Sequence, residues 1–324
     1  MENISYSQAA VRALEQAFVD DERVIALGED VGRGGIFGQY MGLAERFGGN
    51  RVIDTPISEA TIVGASVGMA LTGLRPVVEM RVIDFALCAI DEIVNQAAKN
   101  RFMFGGQGRV PMVLRMPIGV WTASAAQHSQ SLEAWFAHIP GLVVVAPATV
   151  EDNHRLLLAS IASDDPVIYL EHKELWAQTA DVALSASVTA DELGKAKILR
   201  EGSDLTIVSW SKAVHWSLAA ARSLAESGIS VEVIDLRTLW PWDREAVLAS
   251  ARRTGRLMVV HEAVQTAGYG AEIVATVAEA AGGDVRVARL GAPRLPVGYS
   301  PGLEALVRID EARIVTRVRD WLGR

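Results

Sequence analysis

The sequence predicts an α/β protein of two domains, each built on a largely parallel sheet. Short apolar runs typical of buried strands alternate with segments of helical periodicity, first over 24–162 and again over 205–281. A chain of 324 residues is long enough for two hydrophobic cores. Between Glu174 and Gly194 the sequence turns to Ala, Ser, Thr and Asp without a clear period. We therefore expect domains at 1–185 and 186–324.

The apolar spacing of the first domain defines its elements in order. Apolar residues three and four positions apart indicate helices, and short apolar runs that end in glycine, proline or polar residues indicate strands. The predicted elements are a helix at Ser5–Asp20, strands at Val24–Leu27 and Arg75–Val82, a helix at Ala86–Lys99, strands at Pro111–Arg115 and Val143–Val145, and a helix at Val150–Ala162.

The same reasoning gives the second domain. It predicts strands at Leu205–Val208, Val231–Ile234 and Leu257–Val260, alternating with helices at Ala213–Ser227, Asp243–Ala251 and Gly270–Ala281. Strands that alternate with helices in this way favour a parallel sheet covered on both faces.

Composition excludes several classes of protein. Half of the residues are apolar and 22% are charged, which excludes a disordered polymer. The net charge of −8 gives no global reason to bind nucleic acid or an anionic membrane. The single cysteine, Cys88, allows no internal disulfide and favours a reducing compartment. Without an 18-residue apolar stretch or the features of a signal peptide, we expect a cytoplasmic protein without a membrane segment.

The segment from Asp54 to Ala70 is the most informative for function. Pro56 and Ser58 suit a loop that ends in a helix cap, which places Glu59 in the first helical turn. Two interpretations of this acid remain open at this point. It is either a surface carboxylate stabilised by the helix dipole, or a buried carboxylate whose pKa serves a reaction.

Three other apparent motifs fail. The loop after Gly32 would need glycine in place of Phe37 to match a dinucleotide-binding fingerprint. His261 and Glu262 begin like a zinc-binding helix, but Gln265 replaces the second histidine. The sequence also lacks the G-x-S-x-G nucleophile motif of the α/β-hydrolases.

Six blocks of sequence together resemble the beta subunits of thiamine-diphosphate-dependent 2-oxoacid dehydrogenases, in the same order and over nearly the whole chain. These blocks are Leu27–Val31, Asp54–Glu59, Ala125–Gln130, His138–Leu142, Asp235–Leu239 and Pro293–Pro301. The resemblance implies a transketolase-like pyrimidine-binding domain at 1–185. It also implies a transketolase C-terminal-like domain at 186–324, which would contact other subunits and an acyltransferase core.

The resemblance also implies roles for individual residues. The acid at the position of Glu59 would bond to the aminopyrimidine ring of thiamine diphosphate and act in catalysis, with Glu29 close behind it. Phe85 would pack on that ring, and Ile57 would line the cofactor pocket. His128, in a polar loop, would face the substrate and assist acyl transfer to a lipoyl group.

Cation binding is a further implication of the resemblance. A monovalent cation such as K⁺ would be held, largely by backbone carbonyls, at Met112, Ser160, Ile161, Ser163 and Asp165. Arg81 departs from the family, because related chains often have an uncharged residue there. A charge at this position would change nearby pKa values.

The sequence offers only part of a cofactor site. It contains no Gly-Asp-Gly segment, with which single-chain thiamine enzymes begin their clamp for metal and diphosphate. The family solution is an alpha subunit that supplies this clamp and Mg²⁺, in an α2β2 heterotetramer that serves a lipoyl-bearing dihydrolipoyl acyltransferase core. Obligate interfaces of this kind agree with the apolar composition.

The resemblance therefore implies an acyl-transferring oxidoreductase that is active only with an alpha subunit. It would decarboxylate a small 2-oxoacid of the pyruvate type, or cleave acetoin, and transfer the acyl group to a lipoyl carrier. The alternatives are a branched-chain 2-oxoacid dehydrogenase beta subunit and a non-catalytic, beta-like scaffold subunit. A scaffold would not need Glu59, Phe85 or His128.

Overall fold

The structure, a computed structural model, describes residues 1–184 and 187–323. The chain forms two compact units. The first is Met1–Ile118 with Trp135–Leu193, and the second is Gly119–Ala134 with Gly194–Arg324. The boundary predicted at 185/186 falls on Ser185 and Ala186, which lie outside the described residues. The segment Gly119–Ala134, included in the predicted first domain, is grouped with the second unit.

The structure contains the alternation of strands and helices that the sequence predicts. In chain order the strands are β1 (Glu2–Ser5), β2 (Val24–Gly28), β3 (Val52–Asp54), β4 (Arg75–Glu79), β5 (Val113–Ile118), β6 (Val143–Val145), β7 (Val167–His172), β8 (Thr179–Val182), β9 (Lys197–Arg200), β10 (Leu205–Ser209), β11 (Val231–Asp235), β12 (Thr238–Trp240), β13 (Arg256–Val264) and β14 (Arg286–Ala292). The helices are α1 (Tyr6–Asp20), α2 (Leu43–Phe47), α3 (Glu59–Leu71), α4 (Asn100–Met103), α5 (Glu133–Ala137), α6 (Val150–Ala162), α7 (Lys212–Ala225), α8 (Arg244–Thr254), α9 (Gly270–Ala281), α10 (Pro301–Val307) and α11 (Glu311–Leu322).

A parallel sheet forms the centre of the first unit. Six of its strands lie in the order β6–β7–β5–β4–β2–β3, and all five pairings between them are parallel. β2 and β5 are buried along their whole length, as expected for strands covered on both faces. Helices α1 and α6 pack on the sheet through Leu14, Phe18 and Leu157. In such a sheet the carboxyl ends of all strands meet at one edge, where ligands commonly bind.

The second unit has a smaller sheet in the order β14–β13–β10–β11–β9. The first four strands are parallel, and β9 pairs antiparallel with β11 at the edge. Helices α7 and α11 cover it through Leu224, Ile314 and Val318. This confirms the predicted fold class, an α/β architecture with a parallel sheet in each half.

Two predicted elements of the first unit are wrong in part. The helix expected at Ala86–Lys99 is a 3₁₀ helix at Ile83–Ala89 followed by a π-helix at Glu92–Ala97. The buried residues Ile83, Ala86, Ala89, Ile93 and Ala97 recur about every 3.5 positions, so their apolar spacing alone does not distinguish these helix types from an α-helix. The strand expected at Arg75–Val82 ends at Glu79.

Within residues 1–184 and 187–323, no helix combines the length and the apolar character that crossing a membrane requires.

Candidate active site

Three charged residues follow the carboxyl ends of three neighbouring strands. Gly28, the last residue of β2, pairs with Asp54 of β3 on one side and Glu79 of β4 on the other. The chain then continues to Glu29 after β2, to Glu59 after β3 and to Arg81 after β4. The parallel register therefore brings these three side chains to one edge of the sheet.

Glycine is required where these strands meet. The φ of Gly28 is +149°, and a Cβ added there would lie 2.6 Å from the carbonyl oxygen of Glu79. No other residue fits so close an approach in this backbone conformation. Gly28 thus lets β2 and β4 run together up to the point where Glu29 emerges.

Glu59 is the first residue of α3 and is half-buried. The positive end of the helix dipole favours a carboxylate there. The predicted cap by Ser58 is wrong in detail: its hydroxyl makes no capping bond to the backbone and donates instead to Oγ1 of Thr61 at 2.8 Å. The prediction that Glu59 opens a helix is confirmed.

Glu29 and Glu59 influence each other electrostatically. Burial raises the pKa of Glu29, and the charge of Glu59 raises it further, while Arg81 opposes both effects. Among the described residues, neither of these two glutamates, named here the edge acids, has a hydrogen-bond partner for its carboxylate. Two neighbouring carboxylates without internal partners are available to bond to a ligand and to share a proton with it.

Two contacts hold the loop that follows β2. Nη1 of Arg81 donates to Oδ2 of Asp30 at 2.6 Å. The carboxylate of Asp54 accepts the backbone N–H of Gly32 at 2.7 Å. The loop is therefore tied to the exits of both neighbouring strands.

A second group of charges lies inside the sheet. Arg115 of β5 makes a bidentate pair with Glu171 of β7, with two hydrogen bonds of 2.9 Å. Glu79 lies beside Arg115 in the register, and its Oε1 accepts from Gln39 at 3.2 Å. Burial raises the pKa of Glu79 to about 7, although the charge of Arg115 acts against this. We name Glu79, Arg115 and Glu171 the inner cluster, which no sequence prediction included.

The other predicted cofactor contacts occupy different environments. Phe85 is half-buried in the 3₁₀ helix that follows Arg81. Ile57 has 78% of its surface exposed, so nothing in the described chain covers it. An exposed isoleucine beside Glu59 is free to contact a ligand or another subunit.

His128 belongs to the other unit. It is exposed, in a segment without helix or strand in which Ala123 and Ala125 adopt positive φ. The backbone N–H of Gly119 donates to the carbonyl oxygen of Gln130 at 3.2 Å and closes this segment into a loop. The structure thus brings Glu29 and Glu59 together in the first unit and assigns His128 to the second.

The predicted carbonyl site surrounds the end of α6. The carbonyl oxygens of Ile161 and Ser163 each accept from Nη1 of Arg75 at 2.9 Å, and that of Met112 accepts from the backbone of Val167. Ser160 and Asp165 complete the predicted set, and their carbonyl oxygens accept bonds from Ser163. The described residues contain no group of three or more His, Cys, Asp or Glu placed to hold a metal ion.

Comparison with known proteins identifies the family. Residues 2–178 match the family described as "Transketolase, pyrimidine binding domain", and residues 194–314 match "Transketolase, C-terminal domain". The chain is 41% identical to the beta subunit of an acetoin:2,6-dichlorophenolindophenol oxidoreductase of Cupriavidus necator, over 98% of this chain and 96% of that one. The chain belongs to the beta subunits of the thiamine-dependent 2-oxoacid dehydrogenases.

Other beta subunits of this family agree with the assignment. The pyruvate dehydrogenase E1 beta subunit of Rickettsia conorii is 41% identical, with 98% of this chain and 97% of that one covered. The 2-oxoisovalerate dehydrogenase beta subunit of Bacillus subtilis is 37% identical, with 99% of each covered. A solved structure named "Split gene transketolase, inactive beta4 tetramer" superposes with a TM-score of 0.77, over 98% of this chain and 97% of that one. At 20% identity it supports the fold alone.

Proposed function

We propose that this beta subunit binds the aminopyrimidine end of thiamine diphosphate at the edge acids and, with an alpha subunit, decarboxylates a small 2-oxoacid or cleaves acetoin. The observation that carries the proposal is the pair Glu29 and Glu59. They are half-buried, electrostatically coupled and without internal hydrogen-bond partners among the described residues. The pair lies in the unit that matches the pyrimidine-binding family.

The residues present fit one end of the cofactor. Glu59 can share a proton between its carboxyl oxygen and a ring nitrogen of the aminopyrimidine. Phe85 follows Arg81 in the chain and is half-buried, and its ring could pack on the aminopyrimidine. When bound, thiamine diphosphate would supply a carbon acid, which after losing its proton to a base can add to a carbonyl group. Glu29 is a second proton-binding group beside Glu59, and its pKa is raised.

The diphosphate end requires another chain. The sequence has no Gly-Asp-Gly segment, and the described residues contain no group of three or more His, Cys, Asp or Glu that could hold a metal ion. We therefore propose that an alpha subunit binds Mg²⁺ and the diphosphate in an α2β2 heterotetramer. The Cupriavidus and Rickettsia relatives are themselves named as beta subunits, and so as parts of larger enzymes.

Reconstitution tests this proposal. The chain is co-expressed with a matching alpha subunit, and thiamine diphosphate binding is measured by calorimetry in Mg²⁺, followed by turnover. We expect binding and turnover only in the complex, and a loss of turnover of about 10²- to 10⁴-fold in Glu59→Gln. Glu45→Gln is the matched control, since Glu45 also lies in a first helical turn, that of α2. A complex that binds no cofactor, or a Glu59→Gln variant with full turnover, would favour the scaffold alternative.

The substrate is proposed to be pyruvate or acetoin rather than a branched-chain 2-oxoacid. This choice follows the sequence resemblance alone, because overall identity does not separate the substrates: the acetoin and pyruvate relatives are 41% identical, and two 2-oxoisovalerate relatives are 37% and 45% identical. A panel of these three substrates, compared by kcat/KM in the complex, decides between them. A higher kcat/KM for 2-oxoisovalerate would reverse this choice.

His128 is proposed to assist acyl transfer to a lipoyl-bearing dihydrolipoyl acyltransferase. Its exposure in a loop agrees with a role toward a mobile partner group. Two assays separate this step from decarboxylation: reduction of a dye and acylation of a lipoyl domain. We expect His128→Asn to lower lipoyl acylation far more than dye reduction, with His138→Asn, at a second exposed histidine, as control. An equal loss in both assays would argue against a transfer role.

A K⁺ ion is proposed at the carbonyl oxygens of Met112, Ser160, Ile161, Ser163 and Asp165. Each of these oxygens already accepts a hydrogen bond, two of them from Arg75, so a K⁺ ion would bind through their remaining lone pairs and against the charge of Arg75. Thermal unfolding in equal concentrations of potassium, sodium and choline chloride tests this. We expect the highest Tm in potassium; equal values in the three salts would reject the site.

A further inference from the structure

We propose that Arg81 is a positioning residue of this site: its guanidinium holds Asp30 and thereby fixes Glu29 opposite Glu59. The proposal rests on the proposed function for its kinetic test alone. Its structural part concerns side chains of the described chain and can be tested without the cofactor.

The register brings Arg81 to Asp30. β2 and β4 are neighbouring parallel strands, with Gly28 opposite Glu79. Asp30 lies two residues beyond the end of β2, and Arg81 lies two residues beyond the end of β4. Because the two strands end opposite each other, these two residues come close together. Nη1 of Arg81 donates to Oδ2 of Asp30 at 2.6 Å. The Arg81 side chain is 34% exposed, so solvent screens this pair only in part.

Asp30 controls the direction of the loop. Its φ is +58°, and its carbonyl oxygen accepts from the backbone of Arg33 and Gly35, so it opens the turn that follows β2. Asp and Asn tolerate this conformation better than most residues but still favour others. A side-chain contact that retains Asp30 in place therefore also retains Glu29, its neighbour along the backbone. Asp54 holds the far side of the same turn through Gly32.

Arg81 offsets the negative charges that surround Glu29. The groups that influence Glu29 are Glu59, Asp30 and Arg81, and two of the three are acids. Arg33 also approaches Asp30, but at 4.0 Å and with 85% of its side chain exposed. Arg81 is therefore the cation that offsets two acidic neighbours of Glu29.

The consequence concerns the protonation of the edge acids. The positive charge of Arg81 lowers the pKa of Glu29 against the effects of burial and of Glu59. Removing that charge should let Glu29 hold its proton to higher pH. Glu59 would then have a neutral neighbour over part of the working pH range, and its proton sharing with a ring nitrogen would change.

The first experiment follows the carboxyl groups directly. The full chain is labelled with ¹³C at glutamate side chains, Glu29→Gln assigns the Glu29 resonance, and the pH titration is compared in wild type, Arg81→Met, Arg81→Lys and Arg33→Met. We expect the Glu29 midpoint to rise in Arg81→Met and to return toward wild type in Arg81→Lys. Arg33→Met, which removes another positive charge that approaches Asp30, should shift it much less.

The second experiment follows catalysis in the assembled complex. In Arg81→Met the acidic limb of the plot of kcat/KM against pH should move to higher pH. At acidic pH, kcat/KM should be roughly two- to fivefold lower than in wild type, which corresponds to the energy of a partly exposed ion pair. Arg81→Lys should restore most of it. A merely structural role would lower Tm and leave the shape of the pH profile unchanged.

The outcomes separate the two proposals. An unchanged Glu29 midpoint in Arg81→Met, or equal shifts in Arg81→Met and Arg33→Met, would overturn the role of Arg81. A wild-type complex without cofactor binding would overturn the proposed function, and the titration would still decide on Arg81. If methionine perturbs folding, Arg81→Gln removes the same charge with a shorter polar side chain.

Discussion

The inner cluster lies within the sheet of the first unit and the edge acids follow the ends of its strands; both contain two glutamates, but they differ in their hydrogen-bond partners. In the inner cluster, Arg115 and Glu171 form a bidentate pair that is almost completely buried. The edge acids are half-buried and have no hydrogen-bond partner among the described residues. We infer that the inner cluster holds the sheet together and that the edge acids are left for a ligand.

This comparison separates stability from activity. Substitutions in the inner cluster should lower the free energy of unfolding, because each leaves a buried charge or donor unpaired. Substitutions of the edge acids should leave stability almost unchanged and act on the reaction. The following predictions run from the largest expected effect on stability to the smallest.

Arg115→Met should have the largest effect. It leaves the carboxylate of Glu171 buried without its cation, which costs about 3–5 kcal/mol. Urea unfolding followed by circular dichroism measures the loss. Arg109→Met is the matched control, because Arg109 pairs with Asp164 at 2.7 Å with 58% of its side chain exposed and should cost less than about 1 kcal/mol. A similar loss in both variants would remove the distinction between buried and exposed pairs.

Gly28→Ala should lower stability by roughly 2–4 kcal/mol, because the new Cβ would meet the backbone of Glu79 in a strained conformation. It should also impair activity, since Glu29 follows directly. Gly73→Ala is the control, with a positive φ of +103° but no atom within 4 Å of the added Cβ. Thermal unfolding compares the two. Equal shifts in Tm would mean that the close approach of β2 and β4 is unimportant.

Glu79→Gln should change how stability depends on pH. The pKa of Glu79 is raised by burial from 4.5 to about 7 in the folded chain, so folding favours the protonated form. Its contribution is therefore fully present below pH 4.5 and is lost as pH rises to about 7, by up to about 3 kcal/mol. The free energy of unfolding of the variant should lack this dependence on pH. The difference in free energy of unfolding, variant minus wild type, should therefore be more positive at pH 8 than at pH 5. An unfolding series at both pH values in which the difference is constant would contradict the assignment.

Glu59→Gln should have the smallest effect on stability, within about 0.5 kcal/mol, because the side chain is half-buried and has no internal partner. The same variant should lose turnover in the complex. Urea unfolding beside the activity assay tests both halves of this prediction. A loss of several kcal/mol would place Glu59 with the inner cluster as a structural residue.

Much of the fold follows from periodicity. The predicted helices Val150–Ala162 and Gly270–Ala281 match α6 and α9 residue for residue, because their apolar faces repeat at helical spacing. The region after Arg81 is different, since its apolar spacing fits one helix but its backbone forms a 3₁₀ helix followed by a π-helix. Apolar spacing does not distinguish these helix types over so short a segment.

The candidate site was only partly predictable. Glu59 follows a proline and a serine in a pattern typical of a helix start, and this placed it correctly. The coupling of Glu29 to Arg81 depends on the pairing of β2 with β4, which are separated by about 50 residues and which no local pattern specifies. The inner cluster was missed for the same reason, because Arg115 and Glu171 meet only through strand pairing.

Carboxyl footprinting tests the central claim most directly. The assembled complex is treated with a carbodiimide and an amine, with and without thiamine diphosphate and Mg²⁺, and labelling of each glutamate is measured by mass spectrometry. We predict that the cofactor protects Glu29 and Glu59 and leaves Glu45 unchanged. If calorimetry shows the cofactor bound while Glu29 and Glu59 are labelled as fast as before, the edge acids are not the cofactor site.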